Sequence, residues 1–198
     1  SGYNPGYRDE AELWNGTSWT EVGDVNTGRY GLAGFGTSTA ALAVGGHVPG
    51  AVSGAAEKWN GTSWTEVGDL NDPRGYLAGG GTNTAGLVMG GDGPGATGNT
   101  ETWNGTSWTE VGNLNTARWS ISGAADNNTE VLAIGGYGPG TTHQAITEHW
   151  NGNNWAEQND LSTGRANSGA AGNTTNALNF GGSKPCLLYT SPSPRDGL

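Results

Sequence analysis

Four arginines, Arg29, Arg74, Arg118 and Arg165, recur at nearly even intervals along the chain. A guanidinium is a planar fork of donors that matches carboxylates, phosphates and other anions. Gathered round one axis, four of them would hold an anionic ligand. Set singly, each would brace a junction by bonding carbonyls or an acid such as Asp24 or Asp69, and regular recurrence favours this bracing use. The residue after each arginine varies, as Tyr30, Gly75, Trp119 and Ala166. Trp119 stands apart from the other tryptophans, which fall in a repeated motif. An exposed indole there suits stacking on a sugar ring; the structural alternative is packing on an inner strand.

Catalytic chemistry finds little to work with. His47, His143 and His149 are the only histidines, and Cys186 is the single cysteine. One cysteine excludes an intrachain disulfide and a cysteine-based zinc site. His143 and His149 are close enough in sequence to approach across a loop, but loop histidines are ordinarily solvated. No nucleophile motif, phosphate loop or pair of acid–base carboxylates recurs at a defined spacing. Asp92 and its neighbours lack the density of oxygen ligands a calcium loop needs. The sequons at Asn15, Asn60, Asn104, Asn127 and Asn173 would accept glycans in a eukaryotic secretory pathway. Three of them coincide with a repeated Asn-Gly turn, so a turn is the simpler reading. The sequence is expected to encode no enzyme and to need no cofactor or metal.

Composition narrows the partners. The 198 residues carry 18 acids and 8 bases, a net charge of −10. The bases are single and scattered, so no basic stripe exists to track a phosphate backbone, and nucleic acid is not an expected partner. No apolar run reaches the roughly 18 residues of a membrane-spanning helix, so membrane insertion is not expected. Thirty-eight glycines and 13% charged residues are unlike a helical bundle, and nine tryptophans are unlike a disordered chain. The class these numbers imply is all-β and rich in turns.

The elements that must position the arginines and aromatics repeat. WNGTSW occupies residues 14–19, 59–64 and 103–108, and WNGNNW residues 150–155, so the first tryptophans lie 45, 44 and 47 residues apart. Gly-Gly pairs end four apolar runs at Gly45-Gly46, Gly90-Gly91, Gly135-Gly136 and Gly181-Gly182, spaced by 45, 45 and 46. Two independent markers keep one period, the signature of a repeat architecture. Asn-Gly between tryptophan-bearing runs predicts a hairpin with a two-residue type I′ turn. That register would set Trp59 opposite Thr62 and Trp64 opposite Glu57, leaving the indoles as diagonal neighbours. Residues 30–36 and the almost wholly apolar 40–44 read as an inner pair turning at residues 37–39. Each unit then has four short strands, about sixteen in all, with the eight repeated tryptophans buried. Stacking such units side by side buries both faces of each, the propeller solution; a β-solenoid is the structural alternative.

The order of an arginine, an apolar strand ending in Gly-Gly, a variable loop and two spaced aromatics resembles the kelch repeat. Here the order runs Arg29, Gly45-Gly46, Trp59, Trp64, and returns twice more before Arg165 and Gly181-Gly182 begin another round. Kelch units commonly carry Tyr where this chain has the first Trp. The resemblance covers residues 1–183 and implies an all-β, kelch-like β-propeller of four repeats, either a four-bladed ring or part of a larger one. The WNGTSW form is also similar to arrays in predicted proteins of marine phages and metagenomes, which implies an extracellular or virion-associated setting such as a tail fibre or adhesin. Some kelch propellers resemble galactose oxidase, a copper enzyme with Tyr and His ligands and a Cys–Tyr crosslink. That gives an alternative function, and a purely structural spacer gives another.

In an up-and-down meander the Asn-Gly and Thr-rich turns fall at one end of each unit. The arginine connections and the loops after Gly-Gly fall at the other. The second end carries most of the variation, and recognition residues concentrate in variable loops on a rigid scaffold. It is the expected binding face, for a glycan or a protein surface, with Arg29, Tyr30, Arg74, Tyr76, Arg118, Trp119, Tyr137, His143 and Arg165 as its site residues. An oligomer is compatible with this reading.

Both ends interrupt the pattern. SGYNPG at residues 1–6 matches GGYGPG at 135–140, so the chain opens inside a repeat, and residues 184–198 have no counterpart upstream. Residues 186–196 resemble a translated transposase-type sequencing adapter, so residues 184–198 are expected to be an unstructured tail. The first hairpin lacks an inner pair and the last inner pair lacks a hairpin. Joining the two would close a four-bladed ring.

Overall fold

The computed structural model describes residues 6–185. The strands are short because glycine, Asn and Thr punctuate every apolar run, and strand follows strand through tight turns. The first hairpin is β1 (Ala11–Trp14) and β2 (Trp19–Val22). A four-stranded sheet follows, built from β3 (Ala33–Thr37), β4 (Ala40–Val44), β7 (Ala56–Trp59) and β8 (Trp64–Glu66). Within its long loop, β5 (His47–Val48) and β6 (Ala51–Val52) make a miniature hairpin. The second four-stranded sheet contains β9 (Ala78–Thr82), β10 (Ala85–Met89), β11 (Thr100–Trp103) and β12 (Trp108–Glu110). The third contains β13 (Ser122–Ala125), β14 (Val131–Ile134), β15 (Thr147–Trp150) and β16 (Trp155–Glu157). The last pair is β17 (Gly169–Gly172) and β18 (Ala177–Phe180).

The protein is thus all-β, a series of small antiparallel sheets. Among the described residues there is no α-helix, only a 3-10 turn at Pro139–Thr141. Among the described residues the strands number eighteen rather than about sixteen because the loop hairpin β5–β6 adds two. Among the described residues no helix is long and apolar enough to cross a membrane. The expectation for the tail beyond residue 185 lies outside the described residues.

The first strands of successive units stand side by side, β3 against β9, β9 against β13 and β13 against β17. The second strand of each four-stranded sheet is nearly all buried, with Leu42, Val44, Leu87, Val88, Met89, Val131 and Ile134 at 3% exposure or less. The tryptophan pairs of the second and third four-stranded sheets close the junction with the sheet before. Trp103 and Trp108 pack with Leu42 and Val44 of the first sheet, and Trp150 and Trp155 with Leu87 and Met89 of the second. The Trp155 indole N–H donates to Thr100 Oγ1 across that junction at 3.1 Å. Gly-Gly is the backbone counterpart. The N–H groups of Gly46, Gly91 and Gly136 donate to the carbonyls of Arg74, Arg118 and Arg165 in the next unit, at 3.0, 2.9 and 2.8 Å. The preceding glycine must be bare, since a Cβ at Gly90 would stand 2.6 Å from the Arg118 carbonyl oxygen.

Three sequence expectations need correction. The tryptophans face each other directly, Trp59 opposite Trp64 with Glu57 opposite Glu66, and their ring centroids are 5.3 Å apart. The hairpin loop is therefore four residues, Asn60 to Ser63, and not a two-residue type I′ turn. The reason is the Asn60 side chain, whose Oδ1 accepts the N–H groups of Thr62 and Ser63 at 2.9 and 3.0 Å. This Asx turn replaces the positive φ that a type I′ turn would require of Asn. Only Gly61 is left-handed, with φ of 94°. Gly61→Val is expected to lose about 1–3 kcal/mol, read as a fall in the urea midpoint; an unchanged midpoint would contradict the turn assignment.

The second correction concerns burial. Five repeated tryptophans are at 6% exposure or less and Trp64 is half-buried, but Trp14 and Trp19 are 47% and 63% exposed. The third concerns closure: β1–β2 and β17–β18 remain separate two-stranded sheets and do not join.

Candidate recognition surface

The arginines come first in sequence and turn inward. Arg29, Arg74 and Arg118 are 3%, 0% and 0% exposed. Their partners are Glu57, Glu101 and Glu148, at 3.0, 2.6 and 2.8 Å, and not Asp24 or Asp69. Each glutamate sits two residues before a repeated tryptophan, so the WNGTSW strand itself delivers the carboxylate. Arg74 also donates from Nε to the Gly90 carbonyl and from Nη1 to the Asp72 carbonyl. Arg118 donates to the carbonyls of Gly135 and Ile146. The glutamates bind the preceding turn as well: Glu101 Oε2 accepts the Asn71 backbone N–H at 2.9 Å and side-chain N–H at 2.8 Å. Burial pushes the Arg29 and Arg118 guanidiniums below the usual arginine range, and Glu57 and Glu148 oppose that shift. These three arginines brace the frame and present no surface to a ligand. Arg165 is half-buried, and among the described residues its side chain reaches only the Gly181 carbonyl, at 3.4 Å.

Beside this frame the connections after the arginines meet the loops after Gly-Gly. Single bridges join Tyr30 to His47, Gly75 to Asp92, Trp119 to Tyr137 and Ala166 to Ser183. At the opposite end the Trp59 indole N–H donates to the Ser38 carbonyl, so the Asn-Gly and Thr-rich turns share that end, as the meander requires. The second residue after each arginine is left-handed: Gly31 at φ 64°, Tyr76 at 49°, Ser120 at 50° and Asn167 at 54°. Non-glycine residues rarely adopt this region. A relay of backbone bonds holds them there, from Tyr76 N–H to Gly31, Ser120 N–H to Tyr76 and Asn167 N–H to Ser120, at 2.6, 2.8 and 3.1 Å.

This geometry gathers the aromatic residues into a row. Tyr7 packs on Tyr30, Tyr30 stacks on His47 at 5.0 Å, and His47 meets Tyr76 at 4.9 Å. Tyr76 then meets Trp119 at 5.4 Å, Trp119 meets Tyr137 at 4.6 Å, and Tyr137 meets His143 at 4.7 Å. Tyr30, His47, Tyr76, Trp119, Tyr137 and His143 are all half-buried, each ring flanked by neighbours yet partly open to solvent. Two hollows flank the row. One of about 430 Å³ is lined by Tyr76, Trp119, Tyr137, Thr141, His143 and Asn167. The other, about 810 Å³, is lined by Tyr7, Tyr30, His47 and the loops bearing Asp72 and Pro94. Polar atoms stand close by. His47 Nε2 pairs with Asp92 Oδ1 at 3.1 Å, and Ser183 Oγ bonds both the Tyr137 hydroxyl and His143 Nε2, at 2.8 and 3.1 Å.

Of the nine residues expected at the site, Tyr30, Tyr76, Trp119, Tyr137 and His143 come together, Arg165 lies apart from the row, and the other arginines are withdrawn. His47, Tyr7 and Ser183 join unexpectedly. The signal for His47 and Ser183 was in the repeat: each immediately follows a Gly-Gly pair, the position Tyr137 holds in its own unit. His143 and His149 do not form a pair, because His149 sits on β15 and binds Glu130 at 2.6 Å. Among the described residues no group of three or more His, Cys, Asp or Glu could hold a metal ion. No protein-family model matches the chain, and no curated protein matches it.

Proposed function

We propose that the chain is a kelch-like β-propeller array, in an extracellular or virion-borne setting, whose aromatic end recognises glycans without catalysis. The observation that supports this reading is the unbroken row from Tyr30 to His143 along one end of successive units. Faces of Tyr and Trp suit the apolar C–H face of a sugar ring, and a few fixed polar groups beside them suit its hydroxyls. The backbone relay and the buried Arg–Glu pairs hold the row rigid, which limits the entropy lost on binding. Each stacking contact is modest, so a single chain binds weakly and useful avidity needs several copies displayed together.

Trp119→Ala tests the reading, because Trp119 is the central ring and bridges Tyr76 to Tyr137. The variant is expected to lose glycan-array signal while keeping the far-ultraviolet spectrum and melting temperature of the parent. Retained signal, or loss only on substitution at the Asn-Gly end, would place recognition elsewhere. Unfolding of the variant would assign the indole to the core.

A further inference from the structure

We propose that the aromatic end selects uncharged sugars over uronic, sialic and sulfated ones, with Asp72 as the residue that sets the choice. This inference rests on the glycan reading above and names the class of glycan. Two observations carry it: where the cations of this end have gone, and which charge remains beside the rings.

The recurring arginines are neighbours of the row in sequence, yet none lines either hollow. Arg29, Arg74 and Arg118 are taken up by their buried pairs with Glu57, Glu101 and Glu148. Arg8, beside Tyr7, is paired with Glu10 at 2.9 Å. Lys184 is exposed one residue beyond Ser183 and lines neither hollow. The smaller hollow presents hydroxyl, amide and imidazole groups, through Tyr137, Thr141, Asn167 and His143. A carboxylate or sulfate entering here would give up water and find no guanidinium or ammonium in its place. A hydroxyl gives up far less and can bond every one of these groups.

Asp72 adds the opposite sign. The larger hollow draws its lining from two neighbouring units, with Val48 and Val52 from β5–β6 and Asp72, Pro73 and Pro94 from the next. Asp72 is the one carboxylate among those lining residues, and it is held in place. Its carbonyl accepts Arg74 Nη1 at 2.7 Å, and its Oδ2 accepts the Asn99 side-chain N–H at 2.7 Å. An ionised carboxylate accepts at about four lone-pair sites, so one bond to Asn99 leaves room for sugar hydroxyls. His47 is the lining group able to carry positive charge, and Asp92 already holds its Nε2 at 3.1 Å. Asp92 is itself fixed by two backbone bonds with Gly75, both 2.8 Å. A hydroxyl donating to Asp72 makes a charge-assisted bond, stronger than a neutral one. An acidic sugar offers that oxygen a like charge, and the net charge of −10 repels it further out.

The test is binding of the full chain to an array of oligosaccharide pairs matched in linkage and length. One member of each pair carries hydroxymethyl groups, and the other carries carboxylates in their place. Wild type is expected to bind the neutral member of its preferred pair at least about tenfold more tightly at low salt. The gap should narrow at about 1 M salt, where screening acts within about 3 Å. Asp72→Asn keeps an oxygen for Asn99 and the carbonyl for Arg74, so its circular dichroism and melting temperature should match the parent. It is expected to bind the acidic member more tightly and the neutral member more weakly, shrinking the ratio severalfold. Asp92→Asn, outside the lining, should shift the ratio in the same direction by less, and carries the comparison if Asp72→Asn unfolds. Equal binding of both members, preference for the acidic one, or an unchanged ratio in the folded variants would overturn this proposal while leaving glycan recognition standing. Binding of no glycan at all would overturn the glycan reading and this inference with it.

Discussion

Glu101→Gln is expected to destabilise the protein by about 3–5 kcal/mol, the usual result of breaking a buried ion pair from one side. The change keeps the shape of the side chain and removes only its charge. Arg74, at 0% exposure, is then left with an uncompensated cation in the middle of the second sheet. The carboxylate also accepts from the Asn71 backbone and side chain, so the turn preceding β9 loosens with it. At about 2–4 °C per kcal/mol for a domain of this size, the melting temperature should fall by on the order of 10 °C. Glu110→Gln on the exposed face of β12 is the control, with a change within about 0.5 kcal/mol. Replacing both partners, as Arg74→Met with Glu101→Leu, should recover much of the loss, because buried pairs are often no better than apolar groups of similar volume. A neutral Glu101→Gln would mean that the pair is not the brace described above.

Trp103→Ala is the second large effect, expected at about 3–5 kcal/mol by the ordinary cost of deleting a buried aromatic. The indole is 1% exposed, lies 5.2 Å from Trp108 and donates from Nε1 to the Asn83 carbonyl at 3.1 Å. Its removal opens the junction between the first and second sheets. Trp14→Ala removes the same residue type from the same place in the motif, but its indole is 47% exposed and among the described residues no sheet precedes it. It should cost far less. Urea midpoints of the two variants measure the contrast, and equal losses would contradict the assignment of the tryptophan pairs to inter-sheet junctions.

Much of this arrangement was legible in the sequence, because each marker answers to a local physical need. Gly-Gly marks the place where backbone must approach the next arginine carbonyl. The apolar run before it marks a strand buried on both faces. The Asn-Gly dipeptide correctly marked a hairpin but gave the wrong register, since the dipeptide alone does not reveal that the Asn side chain will close the turn by accepting two backbone N–H groups. The bracing use expected of the arginines holds for Arg29, Arg74 and Arg118, which the sequence had also placed on the binding face, and their partners were sought among nearby Asp residues. The true partners, Glu57, Glu101 and Glu148, lie about thirty residues downstream and become neighbours only when the sheet assembles. The aromatic end was legible for the same reason as the strands, because a meander fixes which turns share an end. His47 was missed because its role depends on stacking against Tyr30, a contact between two loops. The exposure of Trp14 and Trp19 followed from what lies beside them, not from their own motif, which is identical to that of the buried Trp103 and Trp108.

Titration of indole-nitrogen-labelled protein with the glycan that gives the highest array signal tests the recognition surface most directly. The account predicts that the Trp119 indole resonance shifts progressively to saturation while those of Trp103 and Trp150, each 1% exposed, stay in place. The absence of any glycan that moves Trp119, or shifts confined to Trp14 and Trp19, would contradict it.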